Sequence, residues 1–194
     1  MRHKNIIRLN VATLFAFCAV MCSALLLQIF WHEPPCPLCL LQRIGLSMVM
    51  FGFMLNIIDG VQQRHYGVVL VGALFGATVA LRQILLHITP GTPGFGRDLL
   101  SYHLYTWSFI IFALTILGVG ILLLLLNQQV GQEEAYKPTV PARMICLLAI
   151  ALVLSNVAAS FMECGPYLAC PDDPTGYWLF NHTHSPIRQG IVPC

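Results

Sequence analysis

Cys36-Pro37-Leu38-Cys39 is the stretch of this chain whose residue types and spacing most directly do chemistry. Two cysteines with two residues between them close a tight ring. Pairs of this kind have tuned reduction potentials and thiols that ionise readily. Cys39 stands where an apolar run begins, at the start of a helix. The free N–H groups and the dipole at that end favour a thiolate. Arg43 follows one turn later on the same face, a cation beside the sulfur. Other uses of the motif fit less well. Half a zinc site needs a second ligand pair on the same face, and the sequence offers none, so no metal site is expected. Haem attachment needs His after the second cysteine, where Leu40 stands. A structural staple closing so short a ring constrains little chain entropy. The motif reads as a redox pair.

The surrounding elements are set by composition. The 194 residues are 57% hydrophobic and 9% charged, with net charge +2, and the mean hydropathy is +0.75. A soluble domain carries roughly 25% charged residues. The balance excludes an ordinary soluble domain, a disordered chain and a nucleic-acid binder, which needs a strongly basic surface. What remains is an all-α polytopic membrane bundle in contact with lipid. Crossing the hydrocarbon core takes about 20 apolar residues. Five segments qualify: Val11–Phe30, Leu40–Ile58, Val68–Leu86, Tyr105–Leu126 and Met144–Met162. The first is too long for a signal-peptide core and is read as a retained helix. Arg2, Lys4, Arg8, Arg64, Lys137 and Arg143 fall on one side of the membrane, and only Arg97 and Arg188 on the other. The N-terminus is therefore expected in the cytoplasm. The expected organisation is a four-helix unit over 1–127, a cytoplasmic loop over 128–143, a fifth transmembrane helix over 144–162 and an outward tail over 163–194.

The eight cysteines sort by side. Cys18, Cys22 and Cys146 lie in apolar helices and read as small packing residues. Cys36, Cys39, Cys164, Cys170 and Cys194 face outward, where an oxidising compartment favours disulfides. Gly72 and Gly76, four apart in the third helix, allow a close helix approach. Arg43, Arg82, Gln83, His87 and His103 fall near the outer ends of their helices, at about the depth of Cys39. Ionisable groups at such depth commonly line a site, although Arg and His near a helix end also snorkel to headgroups.

The run Pro35-Cys36-Pro37-Leu38-Cys39-Leu40-Leu41-Gln42-Arg43 resembles the signature of the bacterial disulfide bond formation protein B (DsbB) family. His103-Leu104-Tyr105-Thr106-Trp107 is similar to a stretch found in some members. The resemblance extends from about residue 6 to 126. It implies an inner-membrane thiol:quinone oxidoreductase that reoxidises a periplasmic thioredoxin-fold disulfide oxidase, DsbA-like, and passes electrons to a quinone, ubiquinone or menaquinone. It implies that Cys36 and Cys39 rest as a disulfide. Cys36, nearer the loop, is then the attacked or resolving sulfur, and Cys39, deeper, meets the quinone. It further implies that Arg43 contacts the quinone together with a polar residue on the third helix. Gln83 is the best match, with His87 one turn further out.

Two features depart from the family pattern. The loop 88–104 lacks the usual second cysteine pair, and a fifth helix with a cysteine-bearing tail follows. Three pairings of Cys164, Cys170 and Cys194 are open to the sequence. Cys164–Cys170 is favoured as the second redox pair, because Gly165-Pro166 turns the chain between them and Cys164 lies just past the fifth helix. A staple that orders the tail is the competing role. Two other functions fit the composition. In quinone reductases of the vitamin K epoxide reductase type, the C-x-x-C lies late in the bundle rather than at the second helix. A non-catalytic membrane scaffold would leave the redox motif without a use.

Overall fold

The structure, a computed structural model, describes residues 3–31, 35–89, 94, 98–125, 138–165 and 170. Cys194, Arg97, Arg188, Lys137 and the tail from 171 onward lie outside the described residues. Five helices form the bundle: α1 (His3–Trp31), α2 (Pro37–Ile58), α3 (Gln63–Leu86), α4 (Leu104–Leu125) and α5 (Val140–Cys164). All five are long and apolar enough to cross a membrane. The chain is an all-α membrane helix bundle. Large side chains such as Phe15, Phe51, Val71, Leu114, Leu124 and Leu154 cover its outer surface, a pattern stable only against lipid.

The helices outrun the apolar segments at several ends. α2 begins at Pro37, because proline suits a first helical position. α5 begins at Val140 with Pro141 in its first turn, so residues 140–143 are helix rather than loop. Cys164 is the last residue of α5 rather than the first beyond it.

α2 packs against α3, α3 against α4 and α1 against α2, while α5 sits against α1 and α2. The α2–α3 crossing is close because glycines face each other across it. A Cβ on Gly45 would lie 2.8 Å from the Gly76 Cα, and one on Gly72 would lie 3.0 Å from the Val49 nitrogen. A Cβ on Gly76 would also collide with the Phe112 ring of α4. The closeness expected of Gly72 and Gly76 is therefore present, and it serves both neighbours.

Each end of the bundle carries its own polar network. At the end where α1 begins, Asn10 Nδ2 donates to the Tyr66 hydroxyl at 2.8 Å, and Asn56 Nδ2 donates to Asn10 Oδ1 at 3.3 Å. The opposite end gathers the end of α1, the start of α2, the end of α3, the start of α4 and the end of α5. A two-stranded hairpin, β1 (Asp98–Leu99) and β2 (Tyr102–His103), leads into α4 there. Its turn residues Leu100 and Ser101 have φ of 53° and 67°.

Candidate redox site

The site is built on the first turn of α2. Cys36 is its N-cap, in extended conformation, and its Sγ accepts the Cys39 N–H at 3.2 Å. A thiol thus takes the place of the usual Ser or Asp cap. This folds the Cys36 sulfur back over the helix end, towards Cys39. The two cysteines are free thiols in the structure, hydrogen-bonded rather than joined. This is the dithiol form of the pair. The hydrogen bond shared with Cys39 and burial hold the Cys36 thiol well above the ordinary thiol range.

Gln83, near the end of α3, closes over both sulfurs. Its Nε2 donates to Cys36 Sγ at 3.4 Å and to Cys39 Sγ at 3.7 Å. Its Oε1 accepts the Gln42 Nε2 at 2.7 Å. Both amides are buried. The Gln83 Oε1 also accepts from the Cys39 thiol at 4.0 Å, so the Cys39 sulfur meets both ends of the amide.

Among the described residues, the hydrogen bonds of Arg43 run to α1 and α5. Its Nη1 donates to Gln28 Oε1 at 2.7 Å and to Asn156 Oδ1 at 3.4 Å, and its Nη2 donates to the Ala24 carbonyl at 3.1 Å. It ties α2 to α1 and α5, while its charge still acts on Cys39. The expected cation beside the sulfur is thus an electrostatic neighbour rather than a contact. One residue before the end of α5, Glu163 is 1% exposed. Among the described residues neither of its carboxylate oxygens has a hydrogen-bond partner. The groups whose charge acts on it are Arg43 and Cys39.

Beyond Gln83, His87 Nδ1 bonds the Gln83 carbonyl at 2.8 Å. A carbonyl only accepts, so Nδ1 carries the proton. The His87 ring stacks on Tyr105 with centroids 5.6 Å apart, and Tyr105 stacks on His103 at 5.2 Å. His103 Nδ1 is buried without a partner among the described residues. Arg82 lies on the exposed face of α3.

At the end of α5, Cys164 and Cys170 are joined by a disulfide. This is the pairing the sequence favoured. Of the residues singled out in the sequence, Cys36, Cys39 and Gln83 come into contact. His87 follows directly along α3, Arg43 adjoins through charge, and Cys164 sits beside Glu163. The two thiols differ in accessibility. Cys36 is the more covered of the pair, because capping the helix turns its sulfur inward, and Cys39 is half-buried.

Sequence reasoning missed Gln28, Gln42, Asn156, Glu163 and Tyr105. Polar residues inside apolar spans were the available signal for the first four. A groove of ≈ 380 Å³ between α1 and α4, lined by Phe17, Thr115 and Leu122 among others, does not touch the cysteines.

Residues 7–95 match the family model of disulfide bond formation protein DsbB. That span holds the C-x-x-C, Arg43, Gln83 and His87 in one segment. Over residues 7–95 the chain is similar to the DsbB family. The matched segment is just under half the chain and runs from α1 past the end of α3. α4 and α5 lie beyond it. No curated protein and no solved structure matches the chain. The five apolar helices make this a multi-pass membrane protein, and the segment similar to DsbB carries the C-x-x-C at one end of its bundle.

Proposed function

We propose that the protein is a thiol:quinone oxidoreductase of the bacterial inner membrane, with its N-terminus in the cytoplasm and its tail in the periplasm. It reoxidises a periplasmic thioredoxin-fold disulfide oxidase. The observation that carries this reading is the Cys36–Cys39 pair at the start of α2 under the Gln83 amide. A helix N-terminus, an amide donor and a nearby guanidinium are the surroundings in which a thiolate is made and kept.

Electrons enter by exchange. A thiolate of the partner attacks one sulfur of the Cys164–Cys170 disulfide, and the other sulfur leaves. The partner's second thiolate then resolves the mixed disulfide, which releases the Cys164/Cys170 dithiol. That dithiol reduces Cys36–Cys39 by the same two steps. Attack falls on Cys36 and expels Cys39, whose thiolate is held by the helix end and the Gln83 N–H. Two electrons and two protons move at each stage. Support for the Cys164–Cys170 role is its place at the same end of the bundle, one residue from Glu163, whose neighbour in charge is Cys39.

A bound quinone, ubiquinone or menaquinone, supplies the two-electron acceptor. The residues suit such a group. The row His87, Tyr105, His103 offers flat faces for a ring, and the partnerless Nδ1 of His103 is a polar handle beside it. Gln83 links that row to the sulfurs, and Arg43 places positive charge near them.

The test is the purified protein with a reduced thioredoxin-fold oxidase and a soluble quinone, followed by quinol absorbance. Quinol is expected at one equivalent per partner disulfide formed, and none with Cys39→Ser. Quinol formation by Cys39→Ser at the wild-type rate would contradict the reading.

A further inference from the structure

We propose that Glu163 of α5 is the proton acceptor for the Cys36–Cys39 dithiol. The inference rests on the proposed redox role of that pair and adds a residue outside the matched DsbB segment.

The argument starts from burial. A carboxyl group 1% exposed and without a hydrogen-bond partner among the described residues is unfavourable as a purely structural choice. Its surroundings explain its retention. Arg43, held by Gln28 and Asn156, brings a positive charge that keeps the carboxylate form accessible. Cys39 brings an acidic proton within electrostatic range. Among the described residues, the titratable and charged groups acting on Glu163 are these two, both from α2. The side chains by which α1 and α5 hold Arg43 are the amides of Gln28 and Asn156, which do not titrate, and Cys164 is disulfide-bonded.

The step is a proton transfer over a bridging water, since among the described residues no thiol lies within hydrogen-bond reach of the carboxyl oxygens. The S–H bond of Cys39 breaks, an O–H bond forms on Glu163, and Cys39 keeps the electron pair as a thiolate. No oxidant is consumed. Cys36 keeps its own proton, because its thiol is held above the ordinary range. The reduced site therefore contains a Cys36 thiol, a Cys39 thiolate and a Glu163 carboxylic acid. When a quinone takes the two electrons and the sulfurs rejoin as a disulfide, the Cys36 S–H and the Glu163 O–H both break, and their two protons are the two that quinol formation consumes.

A mere counter-ion to Arg43 would behave differently. It would stay ionised in both redox states, and its removal would leave more of the Arg43 charge for Cys39 and speed its oxidation.

The experiment is infrared difference spectroscopy on the full chain in detergent, with the Cys36–Cys39 disulfide reduced by a phosphine and no quinone present. Reduction should raise a carboxylic-acid C=O band that is lost in Glu163→Gln and retained, shifted, in Glu163→Asp. Oxidation of the reduced protein by a soluble short-chain quinone should be about 100-fold slower in Glu163→Gln, a typical general-base contribution, with partial rescue in Glu163→Asp. An unchanged carboxyl region on reduction of the wild type would overturn the proposal, as would wild-type or faster oxidation in Glu163→Gln. Failure of the underlying redox reading would look different: the wild-type dithiol itself would not be oxidised by quinone.

Discussion

Gln83 Nε2 lies 3.4 Å from the Cys36 sulfur and 3.7 Å from the Cys39 sulfur, so one amide on α3 spans both members of the pair on α2. The close α2–α3 crossing makes this reach possible. Gly72 and Gly76 bring the helices together about two turns below Gln83, where any side chain would collide. Replacing Gln83 with Leu removes a donor from both sulfurs and strands the Gln42 amide. A hydrogen bond to a charged group contributes about 1.5–3 kcal/mol. Iodoacetamide labelling of Cys39 in the reduced protein should therefore slow at least about tenfold at neutral pH. Unfolding in detergent should show a loss of about 1–3 kcal/mol from the unpaired Gln42. Unchanged labelling would remove Gln83 from the site.

The two thiols should separate in pH. Cys36 is held above the ordinary thiol range by its hydrogen bond with Cys39 and by burial. Reduced protein labelled near neutral pH and mapped by mass spectrometry should carry the label on Cys39. Cys36 should label only in the unfolded chain or at strongly alkaline pH. The stability effect has a definite sign. The folded state binds the Cys36 proton more tightly than the unfolded state does. This contribution is complete below the unfolded thiol's pKa and is lost as pH rises above it. Equal labelling of both cysteines at neutral pH would contradict the assignment.

Much of this arrangement was legible in the sequence, for reasons specific to each part. The five spans follow from apolar length alone. Cys36 and Cys39 could be placed at a helix start because Pro37 and an apolar run follow the first cysteine. Gln83 could be matched by its depth along α3. The partners of Arg43 could not. Gln28, Asn156 and Glu163 reach it through the rotation and register of α1 and α5 against α2, which hydropathy does not encode. The hairpin before α4 also escaped notice, since its left-handed turn uses Leu100 and Ser101 rather than the Asn and Gly that mark such turns.

Arg43→Ala should destabilise the bundle as well as the site. It unties α2 from Gln28, Ala24 and Asn156 and leaves Glu163 buried without its cation. The lost ties, together with a buried carboxyl left without a nearby cation, should cost about 3–5 kcal/mol, the scale of stranding a buried charge. The double variant Arg43→Ala/Glu163→Gln should recover part of that loss, because no buried carboxylate then remains. Thermal unfolding of the four members of this cycle gives the coupling energy. Independent, additive losses would mean that the two side chains do not share a site. The apparent KM for quinone should rise in Arg43→Lys, which keeps the charge but loses the planar fork.

The Cys164→Ala/Cys170→Ala variant separates relay from staple. As a relay, the pair is needed for oxidation of the thioredoxin-fold partner but not for quinone reduction when a small reductant feeds Cys36–Cys39. Partner oxidation should fall at least about tenfold while the small-reductant rate is retained. The short ring adds little through chain entropy, so the unfolding temperature should change little. Full-rate partner oxidation by this variant would make the disulfide structural and leave Cys36–Cys39 to exchange with the partner directly.

The central claim is that Cys36 and Cys39 cycle between disulfide and dithiol at the expense of a quinone. Acid quenching of intact cells, followed by alkylation with a mass-tagged maleimide, reads the state of both thiols directly. With quinone available the pair should be trapped as a disulfide, and in cells unable to make quinone it should accumulate as a dithiol. A pair that is reduced under both conditions would contradict the account.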